Sequence, residues 1–575
     1  MADPASSSRS THSISRLTSS DKLKKIPSDR QSTSDSVSVN PVPSSHESST
    51  IDGNHRPTSP NEADLENSED PVVEGYRKEA YGPSPGEKGW DEFEVRFTEG
   101  DSDDPHNWSR TRRWYITMVG ALLVLNSTFA SSSPTGIVES MEQYFTFNDE
   151  VATLTISLFV AGYCVGPLVW GPVSEQYGRK PPLVIAFIVY TAFQVGCALS
   201  HNTASIIIFR FLSGTFAAAP LVISAALMSD IWDPNTRGKA LGVFVVAPFA
   251  GPSLGPIVSG FMDVAGVSWR WTYWVLTLFA GFCLALVVLT LPETYTPALL
   301  VKRAKKLRKT TGDQRWWAPL EQSKLSFGQR VESTIARPFK IFFLEPMLIA
   351  VTLYMSFVYG CIYLLFEAYP IVFTQGHHFN AGITGLMFLP IFTGSIFGVA
   401  AYLLIWNPRY VRLSREYAPA PVPPEQRLHQ AMFAAPIFAV SFFWFGWTSY
   451  PSVNYWAPLL AGAPLGLSIV LIFLALLNYI VDAYLFAAAS AVAANTVVRS
   501  LFGAGFPLFA SQMYESLNPR WASTLLGFVA LALAPIPFVL IKYGSTLRER
   551  SRFAPSDGEK PGAPRRKPSK ESESV

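Results

Sequence analysis

The segment Gly251-Pro-Ser-Leu-Gly-Pro-Ile-Val-Ser-Gly260 lies inside an apolar run that extends from Ala240 to Met262. In water, a proline inside a helix costs about 3 kcal/mol and a glycine up to about 1 kcal/mol. In a bilayer such residues are tolerated where neighbouring helices bury the exposed backbone and bond its freed carbonyls. The segment therefore predicts a kinked membrane helix whose small residues let another helix approach closely.

Composition also places most of the chain in a membrane. Of its 575 residues 48% are hydrophobic and 16% are charged, against about 25% charged in a soluble domain. Residues 1–108 are instead polar and rich in Ser and Pro, which predicts a disordered tail. No cleavable signal sequence is recognised at the start, so the first apolar helix is expected to direct insertion. Because Lys and Arg are confined to loops, no nucleic-acid partner is expected.

Twelve apolar runs are long enough to cross a bilayer, which takes about 18 residues or more. They are 114–138, 151–173, 182–200, 205–229, 240–262, 270–291, 346–374, 382–406, 429–449, 457–481, 484–510 and 522–544. The predicted fold is an all-α polytopic membrane protein with twelve transmembrane helices. Its two six-helix halves are 109–291 and 346–544, joined by a basic linker, 292–345, and followed by a disordered tail, 545–575.

The distribution of Lys and Arg predicts the orientation of the spans. The linker segment Lys302–Lys309 is strongly basic, whereas the loops 375–381 and 450–456 contain no Lys or Arg. Basic loops face the cytoplasm, so the linker and, with an even number of spans, both termini are expected there. Arg270 and Arg520 are exceptions on the opposite side. Paired halves of this kind are a recurrent transporter design, although a scaffold or receptor with as many spans remains an alternative.

The loop after the second span reads Gly171-Pro-Val-Ser-Glu175-Gln-Tyr-Gly178-Arg179-Lys180. Gly171 is expected to permit close helix approach, and Gly178 a tight turn. Glu175 would place a carboxylate at the membrane edge, facing a helix N-terminus or an Arg.

Two charged residues of the fourth span are the next candidates. Arg210 lies inside the apolar run, where an Arg is costly unless it faces a partner or a water-filled cavity. The alternative is an interfacial side chain that extends outward. Asp230, at the cytoplasmic end of the same span, is placed to pair with Arg179 as a structural contact, and a role as proton carrier is the alternative.

These motifs resemble those of the major facilitator superfamily. The loop is similar to the pattern Gly-x-x-x-Asp-Arg/Lys-x-Gly-Arg-Arg/Lys, with Glu175 in place of Asp and Gln176 in place of the first base. The resemblance implies a cytoplasmic latch between the halves, formed by Gly171, Glu175, Gly178, Arg179, Lys180 and Asp230. Arg210-Phe-Leu-Ser-Gly214 resembles the fourth-span motif, which implies a role for Arg210 in proton coupling.

The opening segment resembles the fifth-span antiporter motif, Gly-x-x-x-Gly-Pro-x-x-Gly-Gly. The matching residues are Gly251, Gly255, Pro256 and Gly260, while Ser259 departs from the final glycine pair. Within the superfamily this motif accompanies proton-coupled exporters. Further stretches resemble the fungal branch of twelve-span drug:proton antiporters: 104–108, 292–295, 367–370, 478–482 and 499–509.

The sequence contains no Gly-x-x-x-x-Gly-Lys-Ser/Thr loop, so a proton gradient rather than ATP or a cofactor is the expected energy source. Glu367, toward the outer half of the seventh span, is the main candidate to bind a proton or a substrate cation. A structural pairing of this carboxylate is the alternative. The substrate-binding candidates are Asn126, Tyr363, Glu367, Tyr369, Asn478, Tyr484 and Arg499. Aromatic walls with a few polar groups suit lipophilic or cationic solutes.

The resemblance implies a monomeric plasma-membrane exporter of drugs, toxins or secondary metabolites, driven by protons through alternating access. Its expected partners are a small molecule, protons and the lipid bilayer. A dedicated exporter of one polyamine, organic acid or glycolipid is the alternative, and a non-transporting sensor is a further one. An enzyme is not expected, because no cluster of His, Asp or Cys falls within the spans. The spacing of the four cysteines fits neither a metal site nor a disulfide framework.

Overall fold

The computed structural model describes residues 91–98, 100–322, 327–417, 421–551 and 553–554. Residues 1–90 and 555–575, where most of both disordered tails is predicted, lie outside them. The regular secondary structure of the described residues is helical, apart from one isolated β-bridge between Glu94 and Trp317.

The helices of the first half are Arg110–Ser132, Val138–Phe145, Asp149–Tyr177, Lys180–Ala198, Thr203–Ile231, Pro234–Phe244, Val246–Val264 and Arg270–Thr290. The linker contains the helices Thr296–Thr311, Pro319–Gln322 and Phe327–Leu344. The helices of the second half are Pro346–Tyr369, Ala381–Leu386, Leu389–Ala401, Asn407–Tyr417, His429–Thr448, Trp456–Leu460, Gly462–Tyr484, Ala488–Leu533 and Pro535–Arg550. Two π-helical turns, Pro370–Gly376 and Tyr402–Trp406, extend the helices before them.

Eleven helical segments of the described chain are long and apolar enough to cross a membrane. The last, Ala488–Arg550, has 63 residues, whereas one crossing takes about 20. Asn518 interrupts it with a non-helical backbone, at φ 62° and ψ 153°, immediately before Pro519. The segment therefore makes two spans, and the predicted count of twelve is confirmed.

The helix of the fifth span is interrupted at Val245 rather than within the predicted glycine–proline segment. Its helical segments Pro234–Phe244 and Val246–Val264 meet at Val245, whereas Pro252 and Pro256 lie inside the second helix. The prolines are therefore accommodated within helical structure, and the interruption lies on their N-terminal side.

The last residues of the predicted tail are folded against the linker. The backbone N–H of Val95 donates to Trp317 O at 2.9 Å, and the Val95 side chain is buried with Ala304 and Ala318. Asp101 forms an ion pair with Arg303. The folded region therefore begins before residue 109, because the linker offers a small apolar surface to this segment.

The two halves pack together along two pairs of spans. The second span contacts the eleventh, and the fifth contacts the eighth. The buried core runs continuously across this boundary.

Candidate functional site

Arg210 is completely buried and is bonded by backbone oxygens. Its Nε donates to Thr155 O at 2.7 Å, its Nη1 to Ala130 O at 2.9 Å, and its Nη2 to Ser131 O at 3.2 Å. Ala130 and Ser131 belong to the last turn of the helix Arg110–Ser132, where carbonyls lack intrahelical partners and a cation is favoured. Arg210 thus caps the first-span helix, and its burial excludes the alternative of an interfacial side chain.

The proline–glycine helix of the fifth span lies directly against the first span. A Cβ atom on Gly251 would stand 2.5 Å from Phe129 N, and one on Gly255 would stand 2.9 Å from Ser133 N. Real Cβ contacts are longer than this, so both glycines are required for the observed approach.

Hydroxyl groups of the first span reach the backbone of that helix. Thr128 Oγ1 donates to Ala247 O at 3.4 Å, and Ser132 Oγ donates to Gly251 O at 3.4 Å. Pro252 and Pro256 lack the N–H groups that would bond the carbonyls of Pro248 and Pro252, so those two carbonyls are freed. The bonded carbonyls, of Ala247 and Gly251, each lie one residue before a freed one. These hydroxyls therefore bond carbonyls next to the freed ones, and the expected bonding of the freed carbonyls themselves is not what these two hydrogen bonds provide.

The other side of the same helix touches the second half. A Cβ atom on Gly260 would lie 2.7 Å from Ala381 C, and one on Gly385 would lie 2.5 Å from Pro256 O. The fifth span is therefore held between the first span and the eighth, so any movement of one half against the other changes its packing.

At the cytoplasmic end, Arg179 and Asp230 form an ion pair. Arg179 Nε donates to Asp230 Oδ2 at 2.9 Å and Nη2 donates to Oδ1 at 3.2 Å, while Thr294 Oγ1 donates to Oδ2 at 3.2 Å. Burial alone would lower the pKa of the Arg179 guanidinium, but its hydrogen bonds to Asp230 raise this pKa overall. Arg179 therefore stays charged.

The carboxylate of Glu293 joins the same cluster, and the sequence did not single it out. It accepts hydrogen bonds from Arg179 N at 2.7 Å and from Lys180 N at 3.2 Å, at the positive N-terminus of the helix Lys180–Ala198. Gly178 adopts φ 92°, and a Cβ there would lie 2.6 Å from Glu293 Cδ. The only sequence signal for Glu293 was the family-like stretch 292–295, which gives no contact.

Two residues predicted for the latch take no part in these contacts. Glu175 is exposed, and no hydrogen bond or ion pair of the described residues involves it. The prediction that Gly171 permits close helix approach is wrong for this conformation, because nothing lies within 4 Å of its Cβ position. Lys180 Nζ donates to Val288 O at 3.0 Å.

A row of polar side chains crosses the boundary between the halves. Ser131 Oγ and Tyr363 OH are 3.1 Å apart, and Tyr363 OH and Tyr359 OH are 3.4 Å apart. The guanidinium of Arg499 lies 4.3 Å from the ring centre of Tyr359. Ser131 is also a carbonyl partner of Arg210, so the row connects the fourth span to the eleventh.

A small apolar cavity lies between the halves. Its walls include Phe249, Pro252, Ile362, Phe366, Phe388 and Ile469. Its volume is about 10 Å³, which is at the lower limit for a single water molecule. This cavity is therefore too small for a solute in this conformation.

The remaining candidates are spread along the second half and the first span. Glu367 is half-buried and accepts a hydrogen bond from Ser511 Oγ at 3.2 Å. Tyr369 packs on Phe388, with ring centres 4.4 Å apart. Both amide atoms of Asn126 are buried without a hydrogen-bond partner in the described structure.

Two predicted substrate contacts are not supported by their positions. Asn478 Nδ2 donates to Leu474 O of its own helix at 2.7 Å. Tyr484 OH donates to Glu345 Oε2 at 3.5 Å, at the cytoplasmic ends of the tenth and seventh spans. Tyr484 thus lies at the end of its helix, and its place in the substrate pocket stays a prediction.

Comparison with known proteins identifies the class. Residues 118–507 match the model of the Major Facilitator Superfamily, and the chain belongs to this family of membrane transporters. It is 40% identical over 465 residues to the "Major facilitator superfamily multidrug transporter mdrA" of Aspergillus fumigatus, across 81% of this chain and 76% of that protein. It is 39% identical over 465 residues to "Efflux pump FUB11" of Gibberella moniliformis, across 80% and 78% of the two chains.

The fold is similar to that of solved transporters. The xylose transporter XylE from E. coli, in a structure described as a partially occluded inward open conformation, aligns with a TM-score of 0.51 at 18% identity. The alignment covers 75% of this chain and 99% of that one. The likeness confirms the predicted fold.

Proposed function

We propose that this protein is a proton-coupled efflux transporter that exports small organic molecules across the plasma membrane by alternating access, as a monomer. The observation that carries the proposal is the position of the glycine–proline helix. Its glycines contact the first span on one side and the eighth span on the other, so rocking of the halves repacks it. The efflux and multidrug relatives support the outward direction of transport.

The energy would come from protons moving inward. Each proton releases about 2.3 kcal/mol per 100 mV of membrane potential and about 1.4 kcal/mol per unit of pH difference. We assign proton binding to Glu367, which is half-buried near the outer end of the seventh span. Arg210 would couple that event to transport by holding the end of the first-span helix.

A dedicated exporter of one endogenous compound is the second candidate. The guanidinium of Arg499, which forms no ion pair with the described residues, favours an organic acid over a polyamine for that role, because a polyamine would be repelled. Breadth of substrate separates the two candidates.

The test combines transport with profiling. Inside-out vesicles that contain the protein should take up aromatic drugs only when the vesicle interior is more acidic than the medium. Uptake that persists after a protonophore collapses the gradient would overturn the coupling. In cells without the gene, one metabolite retained inside with unchanged drug tolerance would instead identify the dedicated exporter.

A further inference from the structure

Arg499 brings a positive charge into the interior of the eleventh span. Its guanidinium lies 4.3 Å from the ring centre of Tyr359 and 5.6 Å from that of Phe473. Its Nε atom is buried without a hydrogen-bond partner, and no ion pair in the described part of the chain involves this residue. Aromatic faces attract a cation but do not neutralise it, so the charge has no counter-charge among the described residues.

Arg210 shows what a satisfied guanidinium looks like in the same molecule. Three backbone carbonyls bond all three of its nitrogens, at 2.7 to 3.2 Å. Charged side chains within membrane spans are costly, and they pair or face a cavity that serves function. The Nε of Arg499 therefore still has a hydrogen to donate, whereas all three nitrogens of Arg210 already donate hydrogen bonds.

Two carboxylates on spans that contact the eleventh are engaged with other residues. Glu367 lies eight residues beyond Tyr359 on the same helix, which is roughly 12 Å along its axis, and it accepts a hydrogen bond from Ser511. Asp482 pairs with Arg427 at 2.8 Å. Neither of these carboxylates therefore neutralises Arg499, whose charge is left available to a bound solute.

Arg499 borders the boundary between the halves rather than lipid. Phe473, against which it packs, lies 5.6 Å from Phe249 of the fifth span, measured between ring centres. Phe249 lines the central apolar cavity. Tyr359, the other ring, is bonded through Tyr363 to the first span. A solute bound at the cavity could thus reach this guanidinium when the halves separate.

We propose that Arg499 binds the negative group of the transported solute, and that the substrates are monovalent organic anions with an apolar body, such as aromatic carboxylates. This rests on the proposed efflux function and names its substrate class. A guanidinium presents two parallel N–H donors that match a carboxylate. The ring and aliphatic walls of the cavity suit the rest of such a molecule.

The test measures binding to the purified full-length protein in lipid nanodiscs. The probes are naphthalene-2-carboxylate, naphthalene-2-carboxamide and 2-naphthylmethylamine, together with smaller aromatic acid and amide pairs. The wild type should bind the carboxylates at least tenfold more tightly than the amides. Arg499→Met should remove that preference and leave amide affinity unchanged, while Arg499→Lys should keep part of it. Arg520→Met is the matched control, because Arg520 lies over Trp447 and Trp521 at the outer end.

The outcomes separate this inference from the efflux proposal. Equal affinity for acids and amides in the wild type, or an acid preference that survives Arg499→Met, overturns the anion site. If Arg499→Met does not fold, as melting and gel filtration would show, the wild-type preference and its partial loss in Arg499→Lys decide instead. In the inside-out vesicles, proton-driven uptake of amides or amines without an acid preference would agree with the efflux proposal but not with the anion site. No uptake of any probe would contradict the efflux proposal itself.

Discussion

The permanently charged side chain of Arg210 holds the first and second spans together. It joins two carbonyls at the end of the first-span helix to one of the second span. The same turn carries Ser131, whose hydroxyl lies 3.1 Å from Tyr363 OH of the second half. Any shift of this guanidinium would therefore move one of the contacts between the two halves.

Replacement of Arg210 by Ala should abolish proton-driven efflux while the protein still reaches the cell surface. Loss of the cap leaves buried carbonyls unbonded, and we expect stability to fall by about 1–3 kcal/mol. Arg210→Lys should fail as well, because an ammonium does not reproduce the three-point fork. Substrate exchange without a pH gradient should survive, which separates coupling from folding. Wild-type proton-driven efflux by Arg210→Ala would contradict the role.

The sequence could predict the burial of Arg210 but not its partners. Its position inside an apolar run indicated a bundle-facing side chain, because lipid exposure would be costly. The carbonyls it bonds belong to residues 55 to 80 positions away, and a carbonyl carries no sequence signal. Glu293 escaped notice for the same reason, since its bond to Arg179 spans 114 positions.

At the scale of the element, glycines decide how closely the fifth span packs. Gly251→Ala and Gly255→Ala should each lower stability by about 1–3 kcal/mol, as overpacking does, because the added methyl meets backbone atoms that cannot move aside. Melting of the purified protein and its efflux rate check this. Gly281→Ala is the control, since nothing lies within 4 Å of its Cβ position, and it should be neutral or stabilising. Equal melting temperatures for all three variants would refute the packing role.

Asn518 gives the second prediction at this scale. Its backbone, at φ 62° and ψ 153°, lies in a region that is essentially restricted to glycine and costs about 1–3 kcal/mol for other residues. Asn518→Gly should therefore raise the melting temperature. Ser516→Gly, two residues earlier within the helix, should lower it, because glycine costs up to about 1 kcal/mol in a helix interior. A lower melting temperature for Asn518→Gly than for Ser516→Gly would show that the backbone at Asn518 is not strained.

Glycine positions also show where sequence reasoning about elements is limited. The pattern at 251–260 indicated close packing, and the structure bears out the small separation from the first span. The same reasoning failed for Gly171, because a glycine allows another helix to come close but does not show whether a helix lies on that side. The interruption at Val245 does have a sequence signal, because Pro248 lacks the N–H that would bond Phe244 O, but the prediction of a kink rested on Pro252 and Pro256 instead.

At the scale of the molecule, the two halves meet at both ends of the spans. Gln512 Nε2 donates to Glu150 Oε1 at 2.9 Å at the outer end. Toward the cytoplasmic end, a Cβ on Gly242 would lie 3.3 Å from the Tyr402 ring. The central cavity, at about 10 Å³, is also too small to hold a solute. Transport then requires one set of contacts to part while the other holds.

Fixing the outer contact should therefore stop export. In a background with Cys164, Cys197, Cys283 and Cys361 replaced by Ala, the pair Glu150→Cys and Gln512→Cys should be joined by a short bismethanethiosulfonate. Export should fall below one tenth of its initial rate and return on reduction, because the halves cannot open outward. The control pair, Ser140→Cys and Asp263→Cys, bonds within the first half and should leave export unchanged when joined. Export that continues with the outer pair fully cross-linked would mean that substrate leaves by another route than separation of the halves.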